Sequence, residues 1–85
     1  MFLRCSILEM YSLLYVDMEG TIKNNIAFLR KRSGLTQESL AEMVGVTRQT
    51  IIALEKGNYV PSVLLALKIA RCFREPVEKI FKIVV

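Results

Sequence analysis

The side chains best suited to chemistry lie between Arg48 and Lys56, read RQTIIALEK. Turned at about 100° per residue, this segment sends Thr47, Ile51 and Leu54 to one side. Gln49, Ile52, Ala53 and Lys56 go to the other, with Arg48 at the flank near its start. A guanidinium, an amide and apolar groups on one face match what base edges offer in a duplex groove. Arginine can donate two hydrogen bonds to guanine, glutamine can pair with adenine, and an apolar side chain can meet a thymine methyl. Arg48, Gln49, Thr50, Ile52 and Ala53 are therefore the candidate base-reading residues. Ile52 can equally be read as a dispensable exposed apolar side chain.

A second set can meet phosphate oxygens, which orient a protein on DNA without reading sequence. Gln37 begins a helix, where its amide and backbone N–H point outward. Thr47, Lys56 and Asn58 are further candidates, each also readable as an ordinary cap, surface or turn residue. Arg32 ends a helix in the run Arg30, Lys31, Arg32, where the macrodipole favours cations whatever they touch.

These residues need two helices held at a fixed angle. The stretch Gln37 to Lys56 divides into helical patterns at Gln37 to Val44 and Arg48 to Lys56, separated by a break short enough only for a tight turn. Ala41 is small where crossing helices would touch. Gly45 follows the first helix, where a left-handed backbone costs glycine little. Leu40, Val44, Val46, Ile51 and Leu54 supply the apolar contacts, and Thr47 is placed to cap the second helix near Thr50.

At Thr36-Gln37, Ala41, Gly45, Ile51 and Glu55 to Gly57 the chain resembles the phage-repressor (Cro/C1, or XRE) helix-turn-helix family. The likeness runs from about Asn24 to Phe81 and includes Pro61-Ser62, Ala66 to Ala70 and Val77 to Phe81, as in small stand-alone regulators. It implies an all-α, five-helix phage-repressor-like domain that binds double-stranded DNA. It also implies that Arg30 reaches Glu55 on the inward side of the recognition helix, a pair that would fix the first helix against the third. Ala41, Gly45, Ile51, Leu54, Arg30 and Glu55 are the structural set. One recognition helix reads few base pairs, whereas a two-fold dimer sets two of them about 34 Å apart, one turn of DNA. The expectation is a homodimer on a near-palindrome, built from the fifth helix, the tail and the N-terminal arm.

Eighty-five residues suit one domain with a modest core. The hydrophobic share is 53% and the net charge +4, with an isoelectric point of about 9.3. Residues 18–85 carry 11 Lys and Arg against 6 Asp and Glu, so the surplus lies in the part that resembles a DNA binder. Cys5 and Cys72 are far apart and no histidine is present, which argues against zinc and favours free thiols in a reducing cytoplasm.

Residues 1–17, MFLRCSILEMYSLLYVD, form an apolar arm interrupted by Glu9. Its apolar run is too short to span a membrane and lacks a signal-peptide cleavage pattern. Helix and strand readings both fit it, and so do two roles: a leader, or an arm packed on the domain or a second subunit. The domain proper is residues 18–85. A first helix is expected over Thr21 to Arg32, with Ile22, Ile26 and Leu29 inward and Phe28 off that stripe. Phe28 and Leu64 read either as interface or as scattered exposed hydrophobes. A fourth helix is expected at Val63 to Phe73, capped by Ser62, with Leu65, Ala66, Ile69, Ala70 and Phe73 inward. Arg74 stands at its end, where glycine or asparagine would cost less. Pro76 starts a fifth helix at Val77 to Phe81, and the β-branched tail could form a short strand paired with the arm or a second subunit.

No catalytic, metal-binding or cofactor-binding constellation appears: histidine, a glycine-rich phosphate loop and clustered carboxylates are all missing. Two alternatives remain beside the regulator. One is the antitoxin of a toxin pair, with a toxin as additional partner. The other is a protein-interaction module that has lost DNA binding and uses Phe28, Ile52 and Leu64.

Overall fold

A computed structural model describes residues 21–84. In chain order these form β1 (Thr21–Asn24), α1 (Ile26–Arg32), α2 (Gln37–Val44), α3 (Arg48–Glu55), α4 (Val63–Phe73), α5 (Val77–Ile80) and β2 (Phe81–Val84). The expected five helices are present among the described residues, joined by one small antiparallel sheet. Residues 1–17, the expected arm, lie outside the described part.

Local chemistry sets the helix ends. Thr36, Thr47 and Ser62 each have extended backbones, and their hydroxyl oxygens accept from the amides of Ser39, Thr50 and Leu65. Each side chain thereby satisfies an amide that the first turn leaves unpaired. Gly45 closes α2 at φ 79°, its N–H donating to the Ala41 carbonyl at 2.9 Å. A Cβ there would meet only the Lys68 Nζ, at 4.0 Å. Backbone conformation, rather than lack of space, demands glycine. Arg74 ends α4 at φ 56°, the left-handed conformation expected to be costly for a residue with a Cβ.

The core joins all five helices. Ile26 and Leu29 of α1 meet Leu40, Ala41 and Val44 of α2, Ile51 and Leu54 of α3, Leu65, Ile69 and Ala70 of α4, and Ile80 of α5. Each fully buried Ile or Leu contributes about 1.5–3 kcal/mol by leaving water. Ala41, 2% exposed, keeps α2 close to its neighbours. Val46 and Phe73 pack against this cluster from its rim, and Ala66 is half-buried.

Two expectations are corrected. The first helix does not begin at Thr21: residues Thr21–Asn24 form β1, and Ile22 is half-buried in that strand. Asn24 draws the boundary. Its Oδ1 accepts from the Ile26 amide at 3.1 Å, its Nδ2 donates to the Leu54 carbonyl at 2.9 Å, and the Asn25 amide donates to the Ile80 carbonyl. Backbone groups needed for another helical turn are thus used elsewhere. The tail strand, expected to pair with the arm or another subunit, instead pairs with β1 of its own chain. The register runs from Thr21 opposite Val84 to Asn24 opposite Phe81. The fifth helix accordingly stops at Ile80, since Phe81 is already extended.

Candidate nucleic-acid interface

The α2–α3 pair owes its angle to its buried sides. On α3, Ile51 and Leu54 are 0% and 1% exposed, so the opposite face must point outward. Arg48 and Gln49 in the first turn are exposed, while Thr50, Ile52 and Ala53 are half-buried. Thr50 is occupied in part by capping: its amide donates to the Thr47 Oγ1, and the two hydroxyls lie 3.1 Å apart. The five base-reading candidates therefore share one helix, with Arg48 and Gln49 the most accessible.

A three-part contact anchors this helix from behind. Arg30 Nε donates to Glu55 Oε2 at 2.7 Å, and Nη2 donates to Oε1 at 3.3 Å. Arg30 Nη1 also donates to the Leu35 carbonyl at 2.9 Å, tying α1 to the chain entering α2. Gln37 Nε2 adds a bond to Glu55 Oε1 at 3.1 Å. A single carboxylate on α3 thus receives donors from α1 and α2. Its hydrogen-bonding capacity is well used, as a partly buried charge requires.

The Gln37 contact qualifies its expected phosphate role. One amide hydrogen is committed to Glu55, leaving the second and the backbone N–H of the helix start for an oxyanion. Sequence reasoning missed this bond. Its only signal was that Gln37 opens α2 and Glu55 closes α3, at the ends of the two helices away from their shared turn. Gln37 also lines an open cleft with Arg30, Leu35, Thr36, Glu38 and Arg48, so the start of α2 and the first residue of α3 form one surface. Thr47, Lys56 and Asn58 are exposed at the ends of α3.

Arg32 is not brought to this surface. Its guanidinium lies over the Phe28 ring, 5.5 Å from the centroid, and it lines a different depression with Asn25, Glu75 and Lys79. Spacing along α1 separates it from Arg30, whose side chain turns to Glu55. Phe28 itself is 60% exposed, with this cation over its ring. Leu64 is exposed as well.

The residues so arranged can bind a polyanion and probe a groove. No helix among the described residues is long and apolar enough to cross a membrane.

Comparison with known proteins agrees with this geometry. The helix-turn-helix family model matches residues 26–80. The uncharacterized HTH-type transcriptional regulator YgzD of Bacillus subtilis is 57% identical over 60 residues, covering 71% of this chain and 91% of that protein. An uncharacterized HTH-type transcriptional regulator of Methanothermobacter thermautotrophicus is 70% identical over 53 residues, covering 61% and 77%. Among solved structures, the restriction-modification controller protein C.AhdI of Aeromonas hydrophila is similar, with a TM-score of 0.59 at 30% identity over 64% of this chain and 82% of that one. A Bacteroides fragilis protein shares the fold at 21% identity, with a TM-score of 0.66 over 73% of this chain and all of that one. The buried α2–α3 crossing, the outward first turn of α3 and these likenesses agree: the chain belongs to the Cro/C1-type (XRE) helix-turn-helix family of DNA-binding transcriptional regulators, a class that binds rather than catalyses.

Proposed function

We propose that the chain is a cytoplasmic, sequence-specific repressor that binds double-stranded DNA as a homodimer and reads the major groove with α3. The observation that carries this reading is the exposure of Arg48 and Gln49 on a helix whose other side is fully buried. Arg48 and Gln49 are the principal base readers, with Ile52 offering an apolar contact to a thymine methyl and Thr50 and Ala53 beside it. Gln37, Thr47, Lys56 and Asn58 meet the phosphates on either side. The Arg30, Gln37 and Glu55 contact, which ties α3 to α1 and α2, supports this reading.

Residues 18–85 are the binding domain and residues 1–17 an added arm. Two-fold symmetry supplies a second recognition helix about one DNA turn, 34 Å, away. The experiment is selection of bound duplexes from a random pool, followed by measurement of the size of the complex. Enrichment of a near-palindrome bound by two chains is expected. Affinity should fall on the order of a thousandfold between about 50 and 200 mM salt if about six phosphates are contacted. Absence of any duplex affinity would end this reading in favour of a protein-interaction module.

A further inference from the structure

We propose that Lys23, Lys79 and Lys82 form an anion site that takes a phosphate group. The sheet register sets Lys23 directly opposite Lys82. Directly paired residues of antiparallel strands project to the same face, their Cβ atoms about 4.5–5.5 Å apart, and like charges there destabilise the pair. Lys79, on α5, lines the same depression, together with Asn24, Asn25 and Ile80. All three lysines are exposed. None lies within 4.0 Å of a carboxylate among the described residues, where Arg30 and Glu55 form the ion pair.

The walls of the depression are tied together. The Asn25 amide donates to the Ile80 carbonyl at 3.2 Å, and α5 runs directly into β2, which pairs with β1. The depression measures about 190 Å³, room for a tetrahedral anion and a few waters at about 30 Å³ per water. Lysines on exposed strand edges also discourage edge-to-edge pairing. That role accounts for Lys23 and Lys82 but not for Lys79, which is on a helix. An anion held by all three cations would offset their mutual repulsion. This site does not depend on the α3 surface, and its existence does not require the regulator reading.

The test is amide NMR of the full chain during titration with pyrophosphate, with sodium chloride adjusted to keep ionic strength constant. Saturable shifts are expected at Lys23, Asn25, Lys79 and Lys82, and saturation should be lost in Lys82→Gln. Lys79→Gln repeats the test from a different element. Each substitution relieves repulsion, so both variants should melt at or above the wild-type temperature. Shifts that stay linear in pyrophosphate, or saturation undiminished in both variants, would overturn the proposal. Duplex DNA distinguishes the source of the phosphate. If the DNA backbone occupies the site, the slope of log affinity against log salt falls by about one for each lysine removed. An unchanged slope, with saturable pyrophosphate binding, assigns the site to a free phosphorylated compound. A chain that bound no duplex would sink the regulator reading while leaving the pyrophosphate result standing.

Discussion

Arg30 and Glu55 face each other at 2.7 Å across the α1–α3 interface, their side chains 11% and 8% exposed. Removing either partner strands a charge in a largely dry place. Glu55→Gln should destabilise the domain by about 3 kcal/mol, at the lower end for buried pairs because some water reaches this one. Replacing both, as Arg30→Met with Glu55→Leu, should recover most of that loss. Recovery should be incomplete, since Gln37 and the Leu35 carbonyl also lose a partner. Urea unfolding of the wild type and both variants decides the matter: a double variant no better than Glu55→Gln would show that the stranded charge is not the cause.

Gln49→Ala should weaken binding to the selected duplex by about 1–3 kcal/mol while leaving random duplex unaffected. The side chain is exposed and is not part of the core cluster, so the melting temperature should stay unchanged. Equal losses on both duplexes would assign Gln49 to the backbone.

Asn24 joins β1, α1 and α3 through one side chain. Asn24→Ala removes both of its hydrogen bonds and should cost about 1–3 kcal/mol through the part-buried groups left unpaired. Asn24→Asp should cost more, because a carboxylate oxygen would then face the Leu54 carbonyl in place of the amide donor. Thermal melts that ranked the aspartate variant above the alanine variant would refute this.

Arg74 holds a left-handed backbone at φ 56°. Arg74→Gly removes the Cβ penalty but adds freedom to the unfolded chain, and the balance should stabilise by about 0.5–1 kcal/mol. A lower melting temperature would indicate that the Arg74 side chain supplies a compensating contact.

Burial raises the Cys72 thiol above its ordinary pKa of 9.0. In a Cys5→Ser background, iodoacetamide at neutral pH should modify native Cys72 more slowly than the urea-unfolded chain. The sign for stability follows. As pH climbs past 9.0 the unfolded thiol ionises first, so stability present below that pH is lost as it rises toward the folded pKa. Cys72→Ala should flatten that alkaline decline. Equal alkylation rates in the native and unfolded chains would contradict the burial effect.

The sequence by itself determined the helix-turn-helix and its caps. Thr36, Gly45, Thr47 and Ser62 act on amides and carbonyls within a few residues of themselves, and Ile51 and Leu54 repeat at a helical period, so local chemistry suffices. The Arg30 and Glu55 pair was legible only through family likeness, since nothing local joins residues 25 positions apart. Tertiary structure alone decided the start of α1. Ile22, Ile26 and Leu29 fit a helical stripe, yet the backbone at 21–24 finds its partners on β2, more than fifty residues downstream. It also decided the placement of the charges. Gln37 is drawn to Glu55 and Lys23 is set against Lys82 because both depend on which elements the core brings together, whereas Arg32 meets Phe28 one turn away on the same helix.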